Sequence, residues 1–163
     1  MPIVADPTAK ISSLADIEES VRGTTITVGK ESVIDSFVKI KPVGGIGDVL
    51  IGDRVTINSG CVLYTGNGIT IGNDVAIAAN CVLAPVNHGF ALKEATIRSQ
   101  GFKESRGGIV IEDDVWIGAG VVLLDGAVVR KGAVIGAMSL VRGEIAAYSI
   151  VAGNPLAVLG SRS

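Results

Sequence analysis

An apolar residue recurs every sixth position through most of this 163-residue chain, and so short a period admits few folds. Val28, Ile34 and Ile40 form one set of three, and Ile51, Ile57 and Leu63 a second. Ile71, Ile77 and Leu83, then Ile111, Ile117 and Leu123, then Val129, Ile135 and Val141 complete five sets of eighteen residues. Four places after the apolar residue the side chain is compact: Ser32, Val38, Val55, Cys61, Val75, Cys81, Val115, Val121, Ala127, Ala133 and Ser139. Six residues are too few for a helix pair or a propeller blade. They suit a short strand and a tight turn, three of which make one coil of a β-solenoid. Five coils stacked at roughly 4.8 Å would form a prism on the order of 24 Å long, with one apolar column per face. Ile11 and Ile17 precede Val28 by the same eleven-residue step that separates Ile40 from Ile51, so a partial set should open the chain. Glycine follows the apolar residue in Val28-Gly29, Ile51-Gly52, Ile71-Gly72, Ile117-Gly118 and Ile135-Gly136, where a bend needs permissive backbone angles or close approach.

Composition agrees with this reading. Hydrophobic residues make up 48% but aromatics only 4%, with 22 glycines, so the core is aliphatic and the chain turns often. The length fits one domain, residues 1–163. Formal charge is −2 and the 14 Lys+Arg are scattered along the sequence, so no basic stripe for nucleic acid or anionic lipid is visible and nucleic-acid binding is not expected. Met1 to Asp6 lacks the basic start and apolar run of a signal peptide, and no apolar stretch approaches the roughly 18 residues of a membrane span. A cytoplasmic location is expected. There, Cys61 and Cys81 should be free thiols, and their position in the compact column makes them packing residues rather than nucleophiles.

The repeat is interrupted only between sets. Five extra residues lie between Ile40 and Ile51, around Gly44-Gly45-Ile46-Gly47, and two between Leu63 and Ile71, around Gly66-Asn67-Gly68. Twenty-two extra residues separate Leu83 from Ile111, so a loop of about 84–110 should leave the prism after coil three. A loop of that length in a compact domain is functional or disordered. It carries His88, the only histidine, together with Phe90, Gln100, Phe102 and the bases Lys93, Arg98, Lys103 and Arg106. A lone histidine is often an ordinary surface residue. Its place at the main break in a repetitive scaffold makes it the candidate for acid-base chemistry.

The hexapeptide register, Pro85-Val86-Asn87-His88, Asp114-Val115-Trp116-Ile117-Gly118, Ile135-Gly136-Ala137 and the closing Ala152-Gly153-Asn154-Pro155 together resemble the hexapeptide-repeat acetyltransferases. The likeness covers nearly the whole chain and is nearest to enzymes that acetylate sugars of surface polysaccharide or O-antigen. It extends also to the maltose/galactoside and streptogramin acetyltransferases. The resemblance implies an all-β, left-handed parallel β-helix, with the tail at about 146–163. It implies a homotrimer with active sites between subunits, and acetyl-CoA as co-substrate with no metal. By the same resemblance His88 is the general base for a hydroxyl or amino acceptor, and Asn58, Trp116, Asn87 and Gln100 are acceptor-side residues. Gly118, Ala119, Gly136 and Ala137 would follow the pantetheine arm, with Arg142 and Asn154-Pro155 at the nucleotide end and Lys131 and Arg162 as further phosphate candidates. The chain departs from many relatives in reading Val141-Arg142-Gly143-Glu144 after the last repeat. It also starts its coils almost at once, without the helical segment of the maltose/galactoside enzymes, which favours a nucleotide-linked or lipid-linked sugar over a free disaccharide.

Other readings fit less well. Asn58 can be an ordinary turn residue, and Trp116 can simply cover apolar surface at a subunit contact. A γ-class carbonic anhydrase shares the coils but needs several histidines for zinc. A non-catalytic β-helix scaffold, or an acetyltransferase for a non-sugar acceptor such as an antibiotic, would use the same repeats.

Overall fold

A computed structural model describes residues 3–163. The chain winds into a three-faced prism of short parallel strands. The first coil is β1 (Ile3–Ala5), β2 (Lys10–Ile11) and β3 (Asp16–Ile17), and the second is β4 (Ile26–Val28), β5 (Val33–Ile34) and β6 (Lys39–Lys41). The third is β7 (Val49–Ile51), β8 (Thr56–Ile57) and β9 (Val62–Tyr64), and the fourth β10 (Ile69–Ile71), β11 (Ala76–Ile77) and β12 (Val82–Ala84). After the long loop come β13 (Ile109–Ile111), β14 (Trp116–Ile117) and β15 (Val122–Leu124), then β16 (Ala127–Val129), β17 (Val134–Ile135) and β18 (Leu140–Val141). β19 (Glu144–Ile145) and β20 (Ser149–Gly153) begin a seventh coil, and β21 (Leu156–Ser161) folds back antiparallel on β20.

Every third strand shares a face. Face one runs from β1 to β19 in seven strands, face two from β2 to β20 with β21 at its edge, and face three from β3 to β18 in six. The expected count of five coils is therefore too low, because a complete coil opens the chain and the tail builds two more solenoid strands. The opening coil is hard to see because Ala5, paired with Val28, is small and exposed, and Ile11 is also exposed. The closing one is hidden because Ile145, paired with Val129, follows Val141 by four residues instead of six.

All fifteen apolar residues of the five sets point inward, none more than 3% exposed. Register pairs equivalent residues in successive coils, as in Ile34, Ile57, Ile77, Ile117, Ile135 and Val151 on face two. Stacking supplies the core, since no coil could bury its own column alone. The compact residues four places on are buried too, which explains their size. Cys61 and Cys81 are free and stacked there, donating to the carbonyls of Ala78 at 3.1 Å and Gly118 at 3.2 Å. The neighbouring Cys81 and then burial push the Cys61 thiol well above the ordinary range.

Permissive angles lie elsewhere than at the repeat glycines. The left-handed residue is the third after the apolar one, as in Glu31, Phe37, Arg54, Asp74, Asn80, Asp114 and Met138. Main-chain bonds hold it there, with Arg54 N–H donating to the Lys30 carbonyl at 2.7 Å and Asp74 N–H to that of Asp53 at 2.9 Å. The glycine after the apolar residue answers instead to close approach: a Cβ on Gly52 would lie 2.5 Å from the Gly72 carbonyl oxygen.

Candidate active site

The candidate residues fall into two zones, on different edges of the prism. The first is the edge where face three turns into face one, at which all three sequence insertions leave the coils. The insertions stack on one another. A Cβ on Gly47 would lie 2.0 Å from the Gly68 nitrogen, and one on Gly45 would lie 2.1 Å from the Gly66 carbonyl oxygen, so the glycine-rich inserts pack main chain to main chain. Beside them is a cleft of about 450 Å³ lined by Lys41, Val43, Tyr64, Ala84, Val86, His88 and Phe102. Lys41, Tyr64 and Ala84 each follow the inward residue of a face-three strand, so a column read from the repeat phase marks this wall.

The long loop spans 85–108 between β12 and β13, close to its expected limits. Its two arms pair as an antiparallel bridge between His88 and Phe102. Gly89 N–H donates to the Gly101 carbonyl at 2.8 Å and Lys103 N–H to that of Asn87 at 2.7 Å. The Phe102 ring lies 4.7 Å from the imidazole, tilted by 35°. His88 is thus an exposed side chain on a braced arm at the cleft mouth. Among the described residues no carboxylate or carbonyl hydrogen-bonds its ring. Gln100 has another task in this subunit: its amide bonds to Leu92 N–H and to the carbonyls of Leu92 and Ala95, closing the 92–100 turn. Asn87 lines an adjoining cleft with Phe90, Lys103, Arg106, Leu124, Asp125 and Arg142.

The second zone is the edge between faces two and three. Asn58 stands there directly after β8, in one column with Ala78, Gly118, Gly136 and Ala152 of the coils that follow. Its side-chain Nδ2 donates to the Ile77 carbonyl at 2.8 Å, the bond of a turn asparagine, and leaves Oδ1 open. Gly118 and Gly136 spend their N–H groups on the carbonyls of Ile135 and Val151, both at 2.8 Å. Ala119 and Ala137 are exposed, and their N–H groups have no partner among the described residues, so a ligand running along this edge would find its amides at those two positions. Trp116 lies on face two, 56% exposed, beside Ala76 and Val134. At the top of the prism Arg142, Asn154 and Pro155 share one cleft of about 330 Å³. Arg162 is instead paired with Asp114 at 2.8 Å, and Lys131 lines a face-one cleft with Glu112 and Asp113.

Within one subunit, then, the structure does not bring Asn58 or Trp116 to His88. The thirty residues from Asn58 to His88 are not a multiple of the eighteen-residue coil, so the chain carries them to different edges. Among the described residues no group of three or more His, Cys, Asp or Glu could hold a metal, and no helix is long and apolar enough to cross a membrane.

Residues 108–143 match the family model described as bacterial transferase hexapeptide (six repeats). Over that stretch the chain is similar to the bacterial hexapeptide-repeat transferases. Its relatives include WbbJ of Escherichia coli K12, named as a lipopolysaccharide biosynthesis O-acetyl transferase, which is 28% identical over 84% of this chain and 69% of its own length. The mitochondrial gamma carbonic anhydrase 2 of Arabidopsis thaliana is 34% identical over 77% of this chain, which spans 49% of that relative. Among solved structures, AntD, an N-acyltransferase from Bacillus cereus in complex with dTDP-4-amino-4,6-dideoxyglucose and coenzyme A, superposes with a TM-score of 0.82. It is 23% identical, with 99% of this chain and 84% of that chain covered, and so speaks to the fold. The coils of the hexapeptide-repeat fold wind left-handed, against the hand usual for crossovers between parallel strands.

Proposed function

We propose that this chain is an acyltransferase that moves an acetyl group from acetyl-CoA to a hydroxyl or amino group of a sugar carried on a nucleotide or a lipid. The observation that carries this reading is the braced presentation of the sole histidine at the mouth of a roomy cleft. The names of the E. coli relative and of AntD, with its nucleotide sugar and coenzyme A, support the same chemistry. A γ-class carbonic anhydrase reading has less support, since one histidine is present per chain.

Bound acetyl-CoA supplies an activated acyl thioester. The open amides of Ala119 and Ala137 fit its arm, and the exposed Asn154-Pro155 fits its nucleotide end. His88 takes the proton from the acceptor hydroxyl or amine as that atom attacks the thioester carbonyl; the tetrahedral adduct then breaks its C–S bond, the CoA thiolate leaves with that proton returned by His88, and no acyl-enzyme is required. Rate is gained chiefly by holding two substrates together. Because the small-residue edge and the His88 edge lie apart on one subunit, a complete site needs the edge of a second copy. A homotrimer, with Asn58 and Trp116 brought to the His88 cleft of a neighbour, meets that need.

A free-thiol release assay with acetyl-CoA against a panel of amino and hydroxyl nucleotide sugars tests the reading. At least one acceptor should release thiol, and His88→Ala should lower turnover by about two orders of magnitude or more. Release that does not depend on any acceptor, or a near-normal rate for the variant, would overturn it.

A further inference from the structure

The fold gathers cations that the sequence scatters. Of the 14 Lys and Arg, Lys39, Lys41, Arg54, Lys93, Arg130 and Arg162 have carboxylate partners. Lys103, Arg106 and Arg142 have none among the described residues, and all three line the cleft of about 340 Å³ that adjoins the His88 arm. Two come from the long loop and one from the residue after β18, so only the coil stacking unites them. Lys103 Nζ sits 3.6 Å from the centroid of the Phe90 ring, which holds the ammonium at the rim without neutralising it. The single acid there, Asp125, is 2% exposed and spends both carboxylate oxygens on main chain, taking Arg106 N–H at 2.8 Å and Gly108 N–H at 2.9 Å. It therefore fixes the turn that presents Arg106. The lining carries three positive charges against one negative, and Asn87, immediately before His88, forms its near wall.

A net charge of two matches a diphosphate diester, which carries two negative charges at neutral pH. We infer that this cleft is the seat for the diphosphate of the acceptor, so that the enzyme takes a diphosphate-linked sugar and discriminates against the free sugar. Lys103 and Arg106 grip the phosphate oxygens, Arg142 closes the upper side, and the sugar reaches from there toward His88. Guanidinium and ammonium groups bind phosphates through charge-assisted hydrogen bonds, the strongest of their kind. The inference rests on the acyltransferase reading for its biology, but the seat itself is a statement about binding.

The same chemistry is present in the diphosphate of coenzyme A, and equilibrium binding to the full chain separates the two sources. Calorimetric titrations with dTDP, with CoA, and with dTDP in the presence of saturating CoA are compared for the parent and for the Lys103→Gln/Arg106→Gln double variant. An acceptor seat requires that dTDP still binds beside saturating CoA, and that the double variant weakens dTDP by about tenfold or more while leaving CoA within about twofold. Inorganic pyrophosphate should compete with dTDP in the parent. Unchanged dTDP affinity in the variant would overturn the inference. So would displacement of dTDP by CoA, or a fall in CoA affinity to match, either of which assigns the seat to the co-substrate. Both side chains are exposed, so the double variant should fold; if it does not, the single variants carry the same prediction at smaller amplitude. Absence of acyl transfer in the thiol assay, with the binding result intact, would instead count against the acyltransferase reading.

Discussion

Replacing Phe102 by Ala removes the ring that lies 4.7 Å from the His88 imidazole. No described residue hydrogen-bonds that imidazole, so its aim depends on this ring and on the two main-chain bonds that pair the arms. Those bonds, from Gly89 N–H and Lys103 N–H, survive the substitution because they use no side chain. What is lost is the ring contact, worth about 0.5–1.5 kcal/mol, and at about 1.4 kcal/mol per decade of rate this is roughly a two- to thirteenfold loss. Since Phe102 is 45% exposed, the lower half of that range is expected, a fall in kcat of about two- to fivefold. Steady-state thiol release with the best acceptor measures it. KM for acetyl-CoA should stay unchanged, and Phe102→Tyr, which keeps the ring, should restore kcat. A variant as active as the parent would show that the ring does not aim the base. A loss as large as that of His88→Ala, with the melting temperature unchanged, would equally refute the reasoning, because orientation by one half-exposed ring cannot cost so much.

Ile117→Ala should destabilise the chain by about 3–5 kcal/mol in chemical denaturation at fixed concentration, since Ile77 and Ile135 above and below are held by the ladder and cannot collapse into the void. The outward-facing Val134→Ala, on the same face, should cost less than about 1 kcal/mol. Gly47→Ala drives a Cβ to within 2.0 Å of the Gly68 nitrogen and should lower the melting temperature and reshape the His88 cleft together. Arg130 bonds Glu112 at 2.9 Å and Glu144 at 3.0 Å, and these bonds hold both carboxyls below the ordinary value of 4.5. For lowered carboxyls the stabilisation is complete above 4.5 and is lost as pH falls through the folded values. The melting temperature should therefore drop on acidification below 4.5, and Arg130→Met should flatten that drop.

The repeat carried most of the architecture on its own. A period of six, an inward apolar column and a compact residue four places later are local requirements of a strand and a tight turn, and each is met by one side chain. Hence Ile34, Leu83 and Ile117 could be placed in the core by counting, and the departure of the chain at residue 85 was legible as a broken count. Coil number was less legible because Ala5 and Ile145 belong to end coils, where one side lacks a stacking partner and the demand for a large buried residue relaxes.

The site divides the same way. His88 and the loop that bears it could be found from sequence, because a rare residue type stood at a break in a pattern. Which side chains meet it depends on the position of each residue around the prism, and that is set by the phase of the coil and by every insertion before it. Asn58 and Trp116 thus fall on other faces of the same subunit, and Gln100 is absorbed in closing its own turn. Lys103, Arg106 and Arg142 converge although 39 residues separate the first from the last, because two coils of stacking return the chain to the same edge. Local chemistry decided the coil and singled out His88; the closing of the coils upon one another decided what surrounds that histidine.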